Sequence, residues 1–221
     1  QAKTLFPYTT LFRSTLNAGS AGVVSVTGAV GQTTALHTLT LSHSHGATFS
    51  SPVTAVTAVV LSNTAVGQTI RFEDDLSTGT LTTTGNGYNL ELLGANTSVT
   101  AATTFANMGN LKLGNASTDN LSFAGGLVVT EPSSISLGGT VSTTNAAMTL
   151  GDNNTALTLA DHLTLNTAGG ALNINGSVDG TVANTQSLTL NAGSAGVVSV
   201  TGAVGQTTAL HTLTMSHSHG A

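Results

Sequence analysis

The sequence predicts an all-β chain folded as a β-solenoid, with coils of roughly 20–25 residues. Two observations predict this fold. The first is a long series of triplets in which two apolar residues flank one polar residue, and the second is the set of Gly- and Asn-rich segments between them. Short alternating runs are typical of strands with one buried face. Gly and Asn tolerate the left-handed backbone that sharp corners require.

The triplets follow one another along most of the chain. They comprise residues 39–41, 70–72, 90–92, 111–113, 121–123, 135–137, 148–150, 157–159, 163–165, 172–174, 188–190, 198–200 and 213–215. The two apolar residues of each triplet are expected to face the core. Arg71, Glu91 and Lys112 hold middle positions, where a one-sided core requires charged side chains. The triplets around these three side chains begin at positions 70, 90 and 111, and this spacing corresponds to one coil each.

A β-sandwich is the competing architecture. Sandwich domains usually have longer strands and a buried aromatic residue such as Trp. This chain has no Trp, and aromatic residues make up 4% of it. A narrow solenoid core suits the Leu, Val, Ile and Ala that dominate here, so the solenoid is favoured.

An internal repeat sets the expected domain organisation. Residues 15–47 read TLNAGSAGVVSVTGAVGQTTALHTLTLSHSHGA, and residues 189–221 repeat them with Met215 in place of Leu41. The offset of 174 positions, from Thr15 to Thr189, predicts a tandem array in which each unit packs on its neighbours. Residues 15–221 are therefore expected to form a solenoid with one full unit, of about eight coils, and the start of the next. Further copies are expected in the parent protein.

Residues 1–14 differ from everything that follows. Residues 4–14 read TLFPYTTLFRS, with Pro, Tyr, two Phe and Arg in a chain otherwise poor in aromatics and cations. This string resembles the translation of a common sequencing-adapter oligonucleotide. We therefore interpret residues 1–14 as a sequencing artefact and expect them to be unstructured.

Composition narrows the function classes. Charged residues make up 6% of the chain, against about 25% in typical proteins, and the net charge is −5. Such a chain lacks the high charge of disordered segments and the basic face of nucleic-acid-binding proteins. It has no Cys, which excludes a disulfide framework and a thiolate metal site. Polar residues interrupt every apolar stretch, so we expect no membrane insertion by this segment.

Two His pairs are candidate metal ligands. His43 and His45 flank a serine, and the same pair recurs as His217 and His219 in the second copy of the repeat. Two His at this spacing on a strand face the same side and could bind Zn²⁺ or Ni²⁺ weakly. A metal site needs one or two more ligands, and the two pairs are a whole repeat apart. We interpret the pair as a polar corner and predict no metal or cofactor site.

Carboxylates are the candidates for catalysis. They are Glu73, Asp74, Asp75, Glu91, Asp119, Glu131, Asp152, Asp161 and Asp179. Only residues 73–75 cluster, and adjacent strand positions point to opposite faces. Asp119, Asp152 and Asp179 lie among Asn and Gly, where Asp is a routine turn former. We predict no catalytic residue. A polysaccharide-cleaving enzyme would instead need a groove with two facing carboxylates on neighbouring coils.

Calcium binding and ice binding are two further surface functions that β-solenoids could have. The nonapeptide that binds Ca²⁺ in some β-rolls is absent, and Gly-Asp-Asn-Asn at residues 151–154 is only a partial mimic. Outward Thr pairs could form an ice-binding face. They occur at residues 38 and 40, 80 and 82, and 212 and 214, but intervening coils carry other residues. Both patterns are explained by turn and strand preferences.

The repeat resembles a known class of proteins. The segments LTLNAGSAGVVSVTGAVG and LTLNTAGGALNINGSV are similar to repeats of large secreted bacterial β-helix proteins, the filamentous-haemagglutinin-like and autotransporter-type adhesins. The resemblance implies a right-handed parallel β-helix at the outer cell surface or secreted. It implies roles in adhesion, biofilm or surface scaffolding, with a host-surface, glycan or matrix ligand and neighbouring repeats as partners. The alternatives are a β-helix polysaccharide lyase or hydrolase, and a passive S-layer or matrix protein.

Overall fold

The structure, a computed structural model, describes residues 12–220. Twenty-one strands lie in this range, and helices are absent from it. The strands are β1 (Arg13–Asn17), β2 (Val24–Val26), β3 (Leu36–His43), β4 (Ala47–Phe49), β5 (Val53–Leu61), β6 (Thr69–Phe72), β7 (Leu76–Thr83), β8 (Asn89–Leu92), β9 (Asn96–Val99), β10 (Thr103–Thr104), β11 (Asn110–Leu113), β12 (Asn120–Phe123), β13 (Leu127–Val129), β14 (Ser134–Ser142), β15 (Met148–Leu150), β16 (Leu157–Asn166), β17 (Leu172–Ile174), β18 (Val178–Gly180), β19 (Ser187–Asn191), β20 (Val198–Val200) and β21 (Thr212–His217).

The strands stack in three columns, and their neighbours within each column run parallel. Column A contains β2, β4, β6, β8, β11, residues 134–137 of β14, residues 157–159 of β16, and β18. Column B contains residues 53–55 of β5, residues 76–78 of β7, β9, β12, residues 140–142 of β14, residues 163–166 of β16, β19 and β21. Column C contains β1, β3, residues 58–61 of β5, residues 80–83 of β7, β10, β13, β15, β17 and β20.

The chain crosses columns A, B and C in turn and then returns to column A one layer further along. Residues that pair between successive coils lie 19 to 26 positions apart, as with Leu36 and Ala55 or Val178 and Val204. The chain is therefore a β-solenoid of about nine coils, and the predicted fold class is confirmed.

The core consists of apolar ladders that run along the solenoid axis. In column A, Leu90 pairs with Ile70 on one side and Leu111 on the other, and all three are buried. Glu91, between the buried Leu90 and Leu92, is half-buried and points outward, as the triplet pattern predicts. Burying a Leu side chain contributes about 1.5–3 kcal/mol, so these ladders are the main source of stability.

The last triplet does not follow the predicted burial. Leu213 and Met215 are 52% and 44% exposed, whereas their repeat equivalents Leu39 and Leu41 are 2% and 0% exposed. The reason is position: β5 packs over β3, but β21 pairs on one side only within the described range. Burial in a solenoid depends on the next coil as well as on the local sequence.

Aromatic residues contribute more to the core than the aliphatic triplets suggest. The rings of Phe49 and Phe72 stack with centroids 4.7 Å apart, and Phe105 and Phe123 meet edge to face at 5.7 Å. Tyr88 is fully buried, and its burial raises the pKa of its hydroxyl. Each aromatic pair joins neighbouring coils, so it supports the stacking of the ladders.

The predicted boundary at residue 14 differs from the structure at two positions. Residues 1–11 lie outside the described residues, as does residue 221. Arg13 and Ser14, which we expected to be unstructured, belong to β1 and pair with Thr38 and Leu39. The physical reason is that β3 offers free backbone groups to the strand before Thr15, whatever its side chains. Residues 15–220 lie in the solenoid.

The two copies of the repeat fold in the same way. In the first copy, Thr15 pairs with Thr40 and the register shifts after Leu16. In the second, Thr189 pairs with Thr214 and the register shifts after Leu190. The repeated sequence therefore specifies the local shape of its coil, including the register shift.

Candidate functional site

The outward surface of column A carries a ladder of alternating charge. Arg71, Glu91 and Lys112 occupy equivalent positions on three successive coils. The Arg71 Nε atom donates to Glu91 Oε2 at 2.6 Å, and Arg71 Nη1 lies 4.0 Å from Glu73 Oε1. Because these side chains are partly exposed, such an ion pair contributes about 0–1 kcal/mol. The ladder neutralises itself, so it is not a concentrated charge that would attract an ion.

Most of the candidate carboxylates accept hydrogen bonds from the backbone. The Asp119 Oδ2 atom accepts from the N–H groups of Asn115 and Ala116, at 2.8 and 3.0 Å, and Asp152 accepts from the N–H of Asn154 at 2.9 Å. Both residues hold turns, as predicted. The neighbouring Thr155 side chain and the N–H of Asn154 lower the pKa of the Asp152 carboxyl.

Asp179 was expected in a corner, and this was wrong. It lies in the middle of β18 and points outward. Its Oδ1 atom accepts from the N–H groups of Thr207 and Thr208, at 2.8 and 3.0 Å, in the corner of the next coil. Asp75 makes a similar bond between coils, because its carboxylate accepts from the N–H and the side-chain amide of Asn96. Sequence analysis could not show these partners, because they lie one coil further along the chain.

Asp161 connects coils that are two layers apart. Its Oδ2 atom accepts from Ser117 N at 2.9 Å, and its Oδ1 atom accepts from His162 N at 2.7 Å. Gly138 lies between the two segments: a Cβ atom there would sit 3.4 Å from Asp161 N and 3.5 Å from Asn115 C. The missing side chain thus leaves room for Asp161 to reach past one coil. The Gly138-Gly139 dipeptide is the sequence signal for this contact.

We expect Asp161 to make stability depend on pH. The N–H groups of His162 and Ser117 hold the pKa of its carboxyl below the ordinary value of 3.8. A lowered pKa means that this stabilisation is present above the ordinary value and is lost as the pH falls through the folded value. Urea midpoints between pH 6 and 2 should therefore fall less steeply for Asp161→Asn than for the unmodified chain. The exposed Glu131→Gln is the control, and equal slopes for Asp161→Asn and the unmodified chain would contradict the assignment.

The His pair faces one side, as its spacing predicts. His43 and His45 are exposed, while Ser44 between them is buried with its hydroxyl 2.9 Å from Thr64 Oγ1. The His45 Nδ1 atom lies 3.3 Å from the Ser20 carbonyl oxygen. Among residues 12–220, no group of three His, Cys, Asp or Glu side chains is placed to hold a metal ion. The geometry is that of a polar corner.

A shallow groove of about 340 Å³ lies along one corner of three successive coils. It is lined by Asn153, Asn154, Thr155, Ala156, Asn175, Gly176, Ser177, Thr201, Gly202, Ala203 and Gln206. These lining residues, all within the described range, are uncharged. Their amides and hydroxyls can hydrogen-bond a neutral polar molecule, but they supply no acid or base for cleavage. Sequence analysis missed this groove because its residues come from three separate segments of the chain.

Comparisons with protein-family models, with curated proteins and with solved structures found no match to this chain. Residues 12–220 contain no helix long and apolar enough to span a membrane. The solenoid, its repeated coil and its outward side chains are the features from which a function can be inferred.

Proposed function

We propose that this chain is a structural segment of a secreted or cell-surface, adhesin-like repeat protein, and that it has no catalytic role. The observation that carries the proposal is the shared fold of the two repeat copies. Thr15 pairs with Thr40, and Thr189 pairs with Thr214, and the register shifts one residue further on in both copies. A sequence that rebuilds the same coil each time it occurs lengthens a rod by repetition. The resemblance of the repeat to secreted bacterial β-helix adhesins supports this role.

The outward side chains support adhesion to uncharged polymers. In column B, Ser77, Ser98, Ser122 and Ser142 pair in register on four successive coils, and Asn166 and Asn191 continue the ladder. Such a ladder presents a hydroxyl or an amide at each coil, spaced about 4.8 Å apart. Groups of this kind hydrogen-bond sugars and polar matrix polymers without strong charge. A host-surface glycan or a matrix polymer is therefore the proposed class of ligand.

The arrangement of carboxylates favours a scaffold over an enzyme. Glycoside cleavage uses two carboxyl groups that flank the scissile bond. Here Asp75, Asp119, Asp161 and Asp179 accept hydrogen bonds from backbone N–H groups, and the groove is lined by neutral residues. Carboxylates committed in this way hold coils and corners together.

Location is tested on intact cells that express the parent gene. An antibody against the folded chain should label the surface of unbroken cells or the culture medium, and external protease should remove the surface signal. An antibody against a cytoplasmic marker is the control for cell integrity. A signal that is found only after lysis would contradict a secreted or surface role.

Adhesion is tested with beads that carry the full chain. Labelled dextran, a neutral polysaccharide, and labelled alginate, an acidic one, are incubated with the beads, and both the retained polymer and its length are measured. We expect retention of dextran above alginate, with the length unchanged. Beads with heat-unfolded chain are the control. Retention of neither polymer would favour a passive S-layer or matrix protein, and shortened polymer would favour the enzyme.

A further inference from the structure

The C-terminal edge of the solenoid, made of Val204, β20 and β21, is an apolar surface. The equivalent surface in the first repeat copy is covered by the next coil. Leu213 and Met215 in this edge are exposed, although the equivalent Leu39 and Leu41 are buried. On the side that faces the preceding coil, β3 and β21 pair in the same way, with β1 and with β19. The difference lies in the outer side, where β5 covers β3.

The first copy shows what fits this surface. Leu39 pairs with Val59, Leu41 pairs with Leu61, and Val30 pairs with Val53. The second copy carries the same sequence up to residue 221, apart from Met215. A segment with the sequence of residues 48–61 would therefore place the same apolar side chains on Val204, Leu213 and Met215. The occupant that matches the C-terminal edge is the next copy of the repeat itself.

The repeat length does not match a whole number of coils. Column A runs through Val24, Ala47, Ile70, Leu90, Leu111, Ile135, Leu157 and Val178. Val198, which is the repeat equivalent of Val24, pairs instead with Leu172 in column C. One unit therefore spans seven coils and two further faces, where the sequence analysis expected about eight coils.

A second marker gives the same phase. Val30 forms a bridge with Val53 in column B, whereas its equivalent Val204 forms a bridge with Val178 in column A. Both Val198 and Val204 have moved by the same number of faces relative to their first copies. The shift is thus a property of the whole unit and not of one irregular strand.

We propose that the C-terminal edge docks the next unit of the repeat one face out of phase, so that successive units turn by about a third of a turn around the rod. The inference rests on the array in the proposed function. The charge ladder of Arg71, Glu91 and Lys112 lies in column A of the first unit. It falls in column C of the second unit and in column B of the third. The pattern closes after three units, about 520 residues and about 110 Å of rod.

As a consequence, a given surface of the unit faces a different side of the rod in each of three successive units. A binding surface that repeats on one side can contact only one flat partner at a time. Surfaces that rotate from unit to unit allow partners on different sides to be held at once, which raises the overall strength of attachment. The partner implied by this geometry is a network of the polar polymer that the proposed function names.

The phase is tested by disulfide formation in the chain as it stands, which has no Cys of its own. Asn173 and Ser199 are outward neighbours in column C, so Asn173→Cys/Ser199→Cys should oxidise to a disulfide in most molecules. A unit with a whole number of coils would place Ser199 beside Asp179 instead. Formation of the disulfide in Asp179→Cys/Ser199→Cys, and not in the first pair, would overturn the phase. Ser25→Cys/Thr48→Cys is the positive control, since these residues pair in column A.

Docking is tested by extending the full chain beyond residue 221 with a second copy of residues 48–221. Ser199→Cys should then form a disulfide with Cys placed at the appended copy of Thr48, as Ser25 pairs with Thr48 in the first unit. Absence of this bond, while the bond between positions 173 and 199 forms, would overturn the docking. These outcomes are measured on purified chain, so they are independent of the cell-surface and adhesion experiments. A failure of the disulfide experiments would therefore contradict the phase or the docking, and a failure of the cell-surface or adhesion experiments would contradict the proposed function.

Discussion

Leu111→Asp is expected to unfold the solenoid. Leu111 is buried in the middle of column A and pairs with Leu90 on one side and Ile135 on the other. Losing a buried Leu costs about 2–5 kcal/mol, and an unpaired carboxylate in the same place costs more. The combined cost of the cavity and the buried charge approaches the whole free energy of unfolding of a folded domain, which is about 5–15 kcal/mol. Circular dichroism at 25 °C should therefore show loss of the β-signal.

The matched control is Lys112→Ser, one residue along the same strand. Lys112 points outward beside Ser136, so the free energy of unfolding of the Lys112→Ser chain should change by less than about 1 kcal/mol. A folded Leu111→Asp variant, or equal losses for the two variants, would contradict the assignment of the inward face. The pair thus tests the register as well as the core.

Gly139→Ala is expected to have the second-largest effect. Gly139 lies at the bend of β14 between columns A and B, with φ of 81°, in the left-handed region. A Cβ atom there would lie 2.3 Å from the carbonyl oxygen of Asp119 and 2.8 Å from that of Ala116. The left-handed backbone alone costs about 1–2 kcal/mol for Ala, and the contact forces two coils apart. We expect the melting temperature to fall by at least about 5 °C.

Gly28→Ala is the control for Gly139→Ala. A Cβ atom at Gly28 would have no heavy atom within 4 Å outside its chain neighbours, and Gly28 does not have a positive φ. Its melting temperature should stay within about 2 °C of the unmodified chain or rise slightly. A similar fall for both variants would mean that the close approach of coils at Gly139 is not what limits its side chain.

The sequence was enough to predict the β-solenoid and the inward face of its strands. Alternation in triplets such as residues 90–92 is a local property, and the buried side is the same in every coil that has neighbours. Burial at the edge could not be predicted in this way. Leu39 and Leu213 have the same local sequence apart from Met215 in place of Leu41. They differ because a coil lies above Leu39, whereas none lies above Leu213 within residues 12–220.

The phase of the repeat also required the structure. Coil length varies because corners take different numbers of residues: Ile70 and Leu90 pair 20 positions apart, whereas Val178 and Val204 pair 26 apart. An average coil length cannot distinguish eight coils per unit from seven coils and two faces. Only the summed pairings of all coils give the phase.

The candidate site was predictable where it depends on local alternation and not where it depends on the stacking of coils. The outward ladder of Arg71, Glu91 and Lys112 follows from the middle positions of triplets. The partners of Asp161 and Asp179 lie in other coils, at distances along the chain that depend on corner length. The sequence shows that these residues are carboxylates, but only the stacking of the coils shows which backbone N–H groups donate to them.

Parallel stacking of the coils is tested by two pairs of introduced Cys residues. Lys112 lies beside Ser136 on the next coil, whereas Ser122 on the following strand belongs to another column. Parallel stacking predicts that Lys112→Cys/Ser136→Cys oxidises to a disulfide and that Lys112→Cys/Ser122→Cys does not. An antiparallel hairpin of β11 and β12, as in a sandwich, would bring positions 112 and 122 together. A disulfide in the second pair without one in the first would contradict the solenoid.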